Sequence, residues 1–204
     1  MTQFKAINGY TIRPGADLFR ADFRRATFDS LWMNLQGADL SSAIFLEAKM
    51  SNLDLRGSNI DNANFDEASL GGADFSGAKG RSAYFAGANL YMAKFLGCDI
   101  GSSSFSRAVT GGANFSGSYL FNADFEHARS SGAVFSGAKL RDAIFRDADL
   151  SGANFRGADL TNADFVRANL SGANMTGANM TGANLHGANL ANVIGLEDHQ
   201  GDED

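Results

Sequence analysis

Three histidines, one cysteine and a scatter of serines are among the side chains of this 204-residue chain that could serve as ligands, nucleophiles or bases. His127, His186 and His199 share no short spacing of the kind that lets metal ligands converge. The lone Cys98 excludes an intramolecular disulfide and any cysteine-cluster metal site. Ser41, Ser76, Ser116 and Ser151 sit in turn-like contexts with no base beside them. Glycine-rich stretches such as GGADFSGAKG and TGGANFSG lack the GKS or GKT of a phosphate-binding loop. The sequence therefore predicts no catalytic residue, no metal ligand and no cofactor.

Charge narrows the function classes further. The net charge is −6, with residues 1–34 at +2, residues 35–190 at −3 and residues 191–204 at −5. A basic footprint for nucleic acid is absent. No apolar run is long enough to cross a bilayer, and MTQFKAINGYTIRPG lacks the basic-then-apolar order of a signal peptide. A cytoplasmic protein with no membrane contact and no direct nucleic-acid contact is the expectation.

What must position these residues is a five-residue pulse. Every fifth residue from Leu35 to Leu190 gives 32 positions, of which twelve are Phe, twelve Leu, three Met and two Ile. Gly80, Thr110 and Ser130 are the exceptions. Two residues earlier, 26 of the 32 positions are Ala, with Ser58, Cys98, Ser103 and Ser118 as small substitutes. Between them lies most often Asp or Asn. Neither a helix nor a continuous strand has this period. All twelve of these Phe occupy alternate positions, from Phe45 and Phe65 through Phe75 to Phe165, and Gly37, Gly57, Gly77 and their successors to Gly177 recur every twenty residues. Four pentapeptides per turn of a square solenoid satisfies both periods.

The motifs GADLS, GANFR, NADFV and GANMT resemble the pentapeptide-repeat family, whose pattern is A(D/N)LXX with Leu or Phe at its centre. That resemblance implies an all-β fold, a right-handed quadrilateral β-helix of about nine coils. Residues 1–15, with Phe4, Ile7, Tyr10 and Ile12 around Asn8-Gly9, read as an N-terminal cap with a turn. Residues 16–192 read as the solenoid, with a two-residue insertion within 29–34 that includes Trp32, and residues 193–204 as a C-terminal segment and acidic tail. Coils stacked at about 4.8 Å make a rod of about 42 Å and separate His127 from His186 by about 14 Å.

Without a cleft, such a rod is suited to binding, and two readings follow. The first is a non-catalytic scaffold presenting a rigid four-sided surface to a protein partner. Its candidate contacts are Tyr91, Met92, Leu96 and Val109, outward where polar residues are the norm, and Tyr119 with Phe121. The second comes from the resemblance: some relatives mimic duplex DNA and protect DNA gyrase or another type II topoisomerase from antibiotics. Forty-odd ångströms matches roughly twelve base pairs at ~3.4 Å each. Acids gather on one Phe face as Glu47, Asp66, Glu67, Asp124, Glu126, Asp147 and Asp164 against Arg107, Arg146 and Arg167, a net of −4. Asp66, Glu67, Asp124 and Glu126 are the candidate contacts there. A homodimer through the C-terminal coil, using Met180, Leu185, Leu190, Val193 and Ile194, would bury an end that the few apolar residues beyond it cannot cover.

Overall fold

The computed structural model describes residues 5–28 and 33–196. Phe4, Trp32, His199 and the tail at 197–204 lie outside the described residues. The chain opens with an antiparallel hairpin, β1 (Lys5–Ile7) and β2 (Tyr10–Ile12), in which Ile7 pairs with Tyr10 and Lys5 with Ile12. A two-residue hairpin turn of type I′ needs positive φ at both central residues. Asn8 and Gly9 supply it at 51° and 84°. Ile12 is buried against the first coil, and the Tyr10 ring lies 5.2 Å from that of Phe23.

The described residues after the hairpin form a repeat β-solenoid. Parallel bridges join residues twenty apart, from Asn34↔Asp54 to Asn174↔Ile194. The first three, Asp17↔Asp39, Asp22↔Ile44 and Thr27↔Lys49, are twenty-two apart. Two extra residues therefore enter between Thr27 and Asn34. The expected all-β architecture holds in this form, yet β1 and β2 are the only strands among the described residues. Each face pairs through a single residue before the chain turns, so its ladder contact is an isolated bridge. The turning residue is the second after each centre, and it takes positive φ in Ser42, Glu47, Asn52 and Gly57 alike.

The A(D/N)LXX pattern can be explained by accounting for backbone N–H groups. Around Phe65, the centre donates to Tyr84 (2.7 Å), Glu67 to Ala86 (2.9 Å) and Asn64 back to Ala43 (2.9 Å). Ala63 closes the preceding turn on Ile60 (3.0 Å). That leaves the N–H of Asp66, which donates to the Asn64 side-chain Oδ1 at 2.8 Å. The same side-chain acceptor serves Arg56, Ser116, Glu126 and Thr176. Asp or Asn is favoured because its oxygen reaches the one donor that coil stacking leaves over.

Four faces follow one another in each turn. Face I is centred on Phe75, Phe95, Phe115, Phe135 and Phe155, and face II on Ile60, Gly80, Ile100 and Leu120. Face III carries Phe45, Phe65, Phe85, Phe105, Phe125, Phe145 and Phe165, and face IV Leu70, Leu90, Thr110 and Ser130. Within face I and within face III the rings stack nearly parallel, as in Phe75–Phe95 (4.7 Å, 3°) and Phe85–Phe105 (4.9 Å, 3°). Between the two faces they meet edge-on, as in Phe115–Phe125 (5.6 Å, 90°). Faces I and III thus confront each other across the core, with both favoured aromatic geometries satisfied at once.

Phe125 takes part in two stacked and two edge contacts. Phe125→Ala should lower stability by about 3–5 kcal/mol. Asn122→Gly, at an exposed corner with φ 55°, should change it by no more than about 0.5 kcal/mol. Urea denaturation of both variants checks this; equal midpoints would contradict the ladder assignment.

Candidate interaction surface

The groups with chemical potential are mostly consumed by the fold. Cys98 is fully buried, its thiol donating to the Phe75 carbonyl at 3.0 Å, and burial pushes it up to about 12. It stays protonated at neutral pH, the unreactive form of a cysteine. The Ser41 and Ser116 hydroxyls donate to Asp39 and Asn114, both at 2.6 Å, and Ser151 donates to Ser131 at 3.0 Å. The Ser76 hydroxyl is buried without a partner. Of these four hydroxyls only that of Ser41 bonds a carboxylate, and that Asp39 oxygen also caps the Ser41 N–H as part of the repeat's turn.

The breaks in the repeat have local explanations. Thr110 and Ser130, both fully buried, stack on face IV and share a hydrogen bond of 2.7 Å. Gly80 leaves room for Ile60 one coil earlier: a Cβ there would come within 2.1 Å of Ile60 Cγ1. Gly101 does the same for Phe121, whose ring would lie 2.4 Å from an added Cβ. The Arg81 guanidinium sits over that ring at 5.4 Å. Phe121 is therefore half-buried and engaged, unlike its neighbour Tyr119, which is 52% exposed.

Tyr91, Met92 and Leu96 do form an exposed group. Tyr91 and Met92 share the corner between faces IV and I and are 58% and 55% exposed, while Leu96 stands at the next corner, 40% exposed. They bracket face I on a single coil. Gly111 and Gly112 seat the first two: an added Cβ would stand 3.5 Å from the Tyr91 ring and 2.7 Å from Met92 Sδ. Met92 is the only apolar residue among the described non-glycine residues with positive φ. Val109, on face IV, is half-buried. Lys94 and Val109 have no side-chain oxygen to offer the N–H groups of Leu96 and Gly111, so the local Asp/Asn cap is missing at Leu96 and Gly111, whereas Asn89 still caps the Tyr91 N–H at 3.1 Å.

The two corners that flank face I are rich in glycine and serine, although Arg56 and Arg156 stand exposed on the one between faces I and II. The corner between IV and I carries Ser51, Asn52, Gly71, Gly72, Gly111, Gly112, Ser131, Gly132, Ser151 and Gly152 besides Tyr91 and Met92, with no charge. On the far side, Gly37 through Gly177 form a single column, and a Cβ on any of the eight would meet nothing within 4 Å. Left-handed geometry alone does not demand glycine there, since Arg107, Asn122 and Asp142 adopt the same φ at other corners.

Charge collects on the opposite side, around face III. Three of the seven acids noted in the sequence are spent on arginines: Asp147 on Arg167, Asp164 on Arg146 and Glu47 on Arg25. The Arg167 fork holds the Asp147 carboxyl below its usual range. Asp66 accepts the Ala86 N–H at 2.8 Å, replacing the Asp/Asn acceptor that Tyr84 cannot provide. Asp124 caps the Glu126 N–H. One grouping escaped the sequence: Glu126, His127 and Asp147 bring one ligand atom each within 4.8 Å of one another. Histidine spacing could not reveal it, because the carboxylates lie one and twenty residues away. His186 stays apart from them on an exposed corner.

At the C-terminal end the ladder opens. Met180 is still buried, Leu185 and Val193 are half-buried, and Leu190 and Ile194 are exposed, Ile194 by 59%.

The sequence model for pentapeptide repeats matches in eight copies spread over residues 32–194. The chain belongs to the pentapeptide-repeat family. Among solved structures it is similar to HetL, a pentapeptide repeat protein involved in heterocyst differentiation regulation from the cyanobacterium Nostoc sp. strain PCC 7120. The identity is 32% over 89% of this chain and 84% of that one, with a TM-score of 0.40. A pentapeptide repeat protein of the Arabidopsis thaliana thylakoid lumen is 37% identical over 44% of this chain and 63% of that one (TM-score 0.44). QnrB1, a plasmid-mediated fluoroquinolone resistance protein, shares the fold at 22% identity over 87% of this chain and 91% of that one (TM-score 0.57). No curated protein matches the chain.

For this pentapeptide-repeat protein the polar pair in the core gives a sharp test. Thr110→Val alone strands the Ser130 hydroxyl and should cost about 1–3 kcal/mol. Adding Ser130→Ala should cost less than the sum of the two single changes. Denaturant unfolding of the four-member cycle measures the difference; strict additivity would show that the pair is not coupled.

Proposed function

We propose that the protein is a non-catalytic scaffold whose face I docks a protein partner. One observation carries this reading: Tyr91, Met92 and Leu96 project from a single coil at the two glycine- and serine-rich corners that bound that face. Aromatic and methionine side chains are the usual anchors of interface centres. On the coils either side, Gly71, Gly72, Gly111 and Gly112 at one corner and Ser76, Gly77, Ser116 and Gly117 at the other let a partner's backbone come close. The unused N–H groups of Leu96 and Gly111 offer it hydrogen bonds. The matching partner surface is flat, with a pocket for the Tyr91 ring and an acceptor for the exposed Lys94 between the two corners.

The rod behind this face is taken as right-handed with about nine coils, in line with the family. Its C-terminal coil, with Leu185, Leu190, Val193 and Ile194 at the open end of the ladder, is suited to pairing with a second copy. The topoisomerase reading draws less support from the electrostatics. A duplex carries one charge per ~1.7 Å, whereas Asp147, Asp164 and Glu47 are neutralised by arginines and Asp66 is tied to the backbone. Likeness to a fluoroquinolone resistance protein at 22% identity speaks for the fold alone.

The test is a triple variant, Tyr91→Ser, Met92→Asn and Leu96→Ser, built from residues common at equivalent corners. It should melt at or above the parent temperature, because Asn tolerates positive φ better than Met. Partner capture by photo-crosslinking from face I should fall by about tenfold or more, as for loss of an interface anchor. Capture should be unchanged by Asp124→Lys with Glu126→Lys. The opposite pattern would place the docking surface on face III.

A further inference from the structure

We propose that Glu126, His127 and Asp147 form a binding site for a divalent transition-metal ion of the zinc type, bridging two successive coils at the corner between faces III and IV. The three donors converge, with one ligand atom from each lying within 4.8 Å of the others. Donors around a tetrahedral ion with bonds of ~2.0–2.1 Å stand about 3.4 Å apart. A modest rotation of the exposed His127 and the half-buried Glu126 closes that gap.

The backbone beneath the donors is fixed by the solenoid. His127 and Asp147 take the same left-handed corner conformation, φ 57° and 54°, on consecutive coils. Their N–H groups are bonded to Arg146 (2.9 Å) and Val166 (3.0 Å), and Glu126 accepts from Arg107 and donates to Asp124. Residues twenty apart are therefore held side by side, and the donor set exists before any ion arrives.

Asp147 is also held from outside. Arg167 Nε and Nη2 grip its two oxygens at 2.8 and 2.6 Å, which orients the carboxylate and uses one lone pair on each oxygen. The remaining lone pairs are free to ligate. Supporting groups of this kind commonly orient metal-binding side chains. The nearby Arg146 is occupied by Asp164 and does not compete.

The imidazole decides the class of ion. One nitrogen and two carboxylate oxygens suit zinc, cobalt, nickel or copper, whereas calcium and magnesium prefer all-oxygen shells with more ligands. Three protein donors leave at least one position for water. The site lies on the side of the rod away from face I and does not depend on the docking proposal.

Calorimetric titration of the tag-free protein with Zn²⁺ should give one site per chain at micromolar affinity, with no comparable binding of Ca²⁺. His127→Asn, which keeps the corner conformation accessible, should weaken binding by tenfold or more, and Asp147→Asn and Glu126→Gln should each weaken it as well. His186→Asn and His199→Asn should leave it unchanged. Circular dichroism of each variant separates lost binding from lost folding. The proposal is overturned if millimolar Zn²⁺ gives no heat of binding, if His127→Asn binds like the parent, or if Ca²⁺ binds as tightly as Zn²⁺.

Discussion

Pairing between coils at an offset of twenty residues, unbroken from Asn34 to Ile194, is the constraint from which the rest of this structure follows. It sets the rise of each coil, and the Phe ladders inherit that rise, with stacked centroids from 4.7 to 5.1 Å apart. Aromatic rings prefer offset stacks or edge contacts at such separations. The core obtains both, because faces I and III interleave. Ala two residues before each centre fills the narrow space that remains, and a bulkier residue there would overpack it. Cohesion is consequently distributed along the rod between neighbouring coils, as in other repeat proteins.

The same offset makes chemical neighbours of residues far apart in the chain. Arg167 finds Asp147 twenty residues back, while Arg25 finds Glu47 twenty-two residues ahead because the two extra residues intervene. Arg81 and Arg146 reach carboxylates eighteen residues on, across the corner to the next coil. These exposed pairs each contribute little to stability, of order 0–1 kcal/mol. Their larger effect is on the surface, where they remove free charge from face III. Apolar side chains use the offset differently: Ile60, Phe121, Tyr91 and Met92 each lie where a neighbouring coil has glycine.

Much of the fold was legible because the inward residues obey a strict rule. The alternation of Phe, the twenty-residue glycine column and the small residues two before each centre are direct images of a core that repeats. The Asn8-Gly9 turn was equally readable from turn chemistry. The outside follows no such rule, and there the sequence was less explicit. The role of Asp or Asn as an acceptor for the leftover N–H became apparent only from the hydrogen bonds. So did the substitution of Asp66 for that role opposite Tyr84. Phe121 reads as exposed until Gly101 and Arg81 are seen on either side of it. Glu126, His127 and Asp147 could not be grouped from histidine spacing, since the offset had to be applied to carboxylates as well.

The most direct test of the twenty-residue constraint is thermal unfolding, followed by circular dichroism, of two shortened chains. One lacks residues 136–155, a whole coil, and the other lacks residues 136–140, a single pentapeptide. Both deletions join equivalent points of the repeat, but only the first keeps every downstream Phe, Leu and corner residue on its own face. The account predicts that the chain missing a whole coil unfolds cooperatively near the parent temperature, while the chain missing five residues, with Phe145 moved onto the Leu face, melts far lower or without cooperativity. A single-pentapeptide deletion that melts as high as the whole-coil deletion would contradict it.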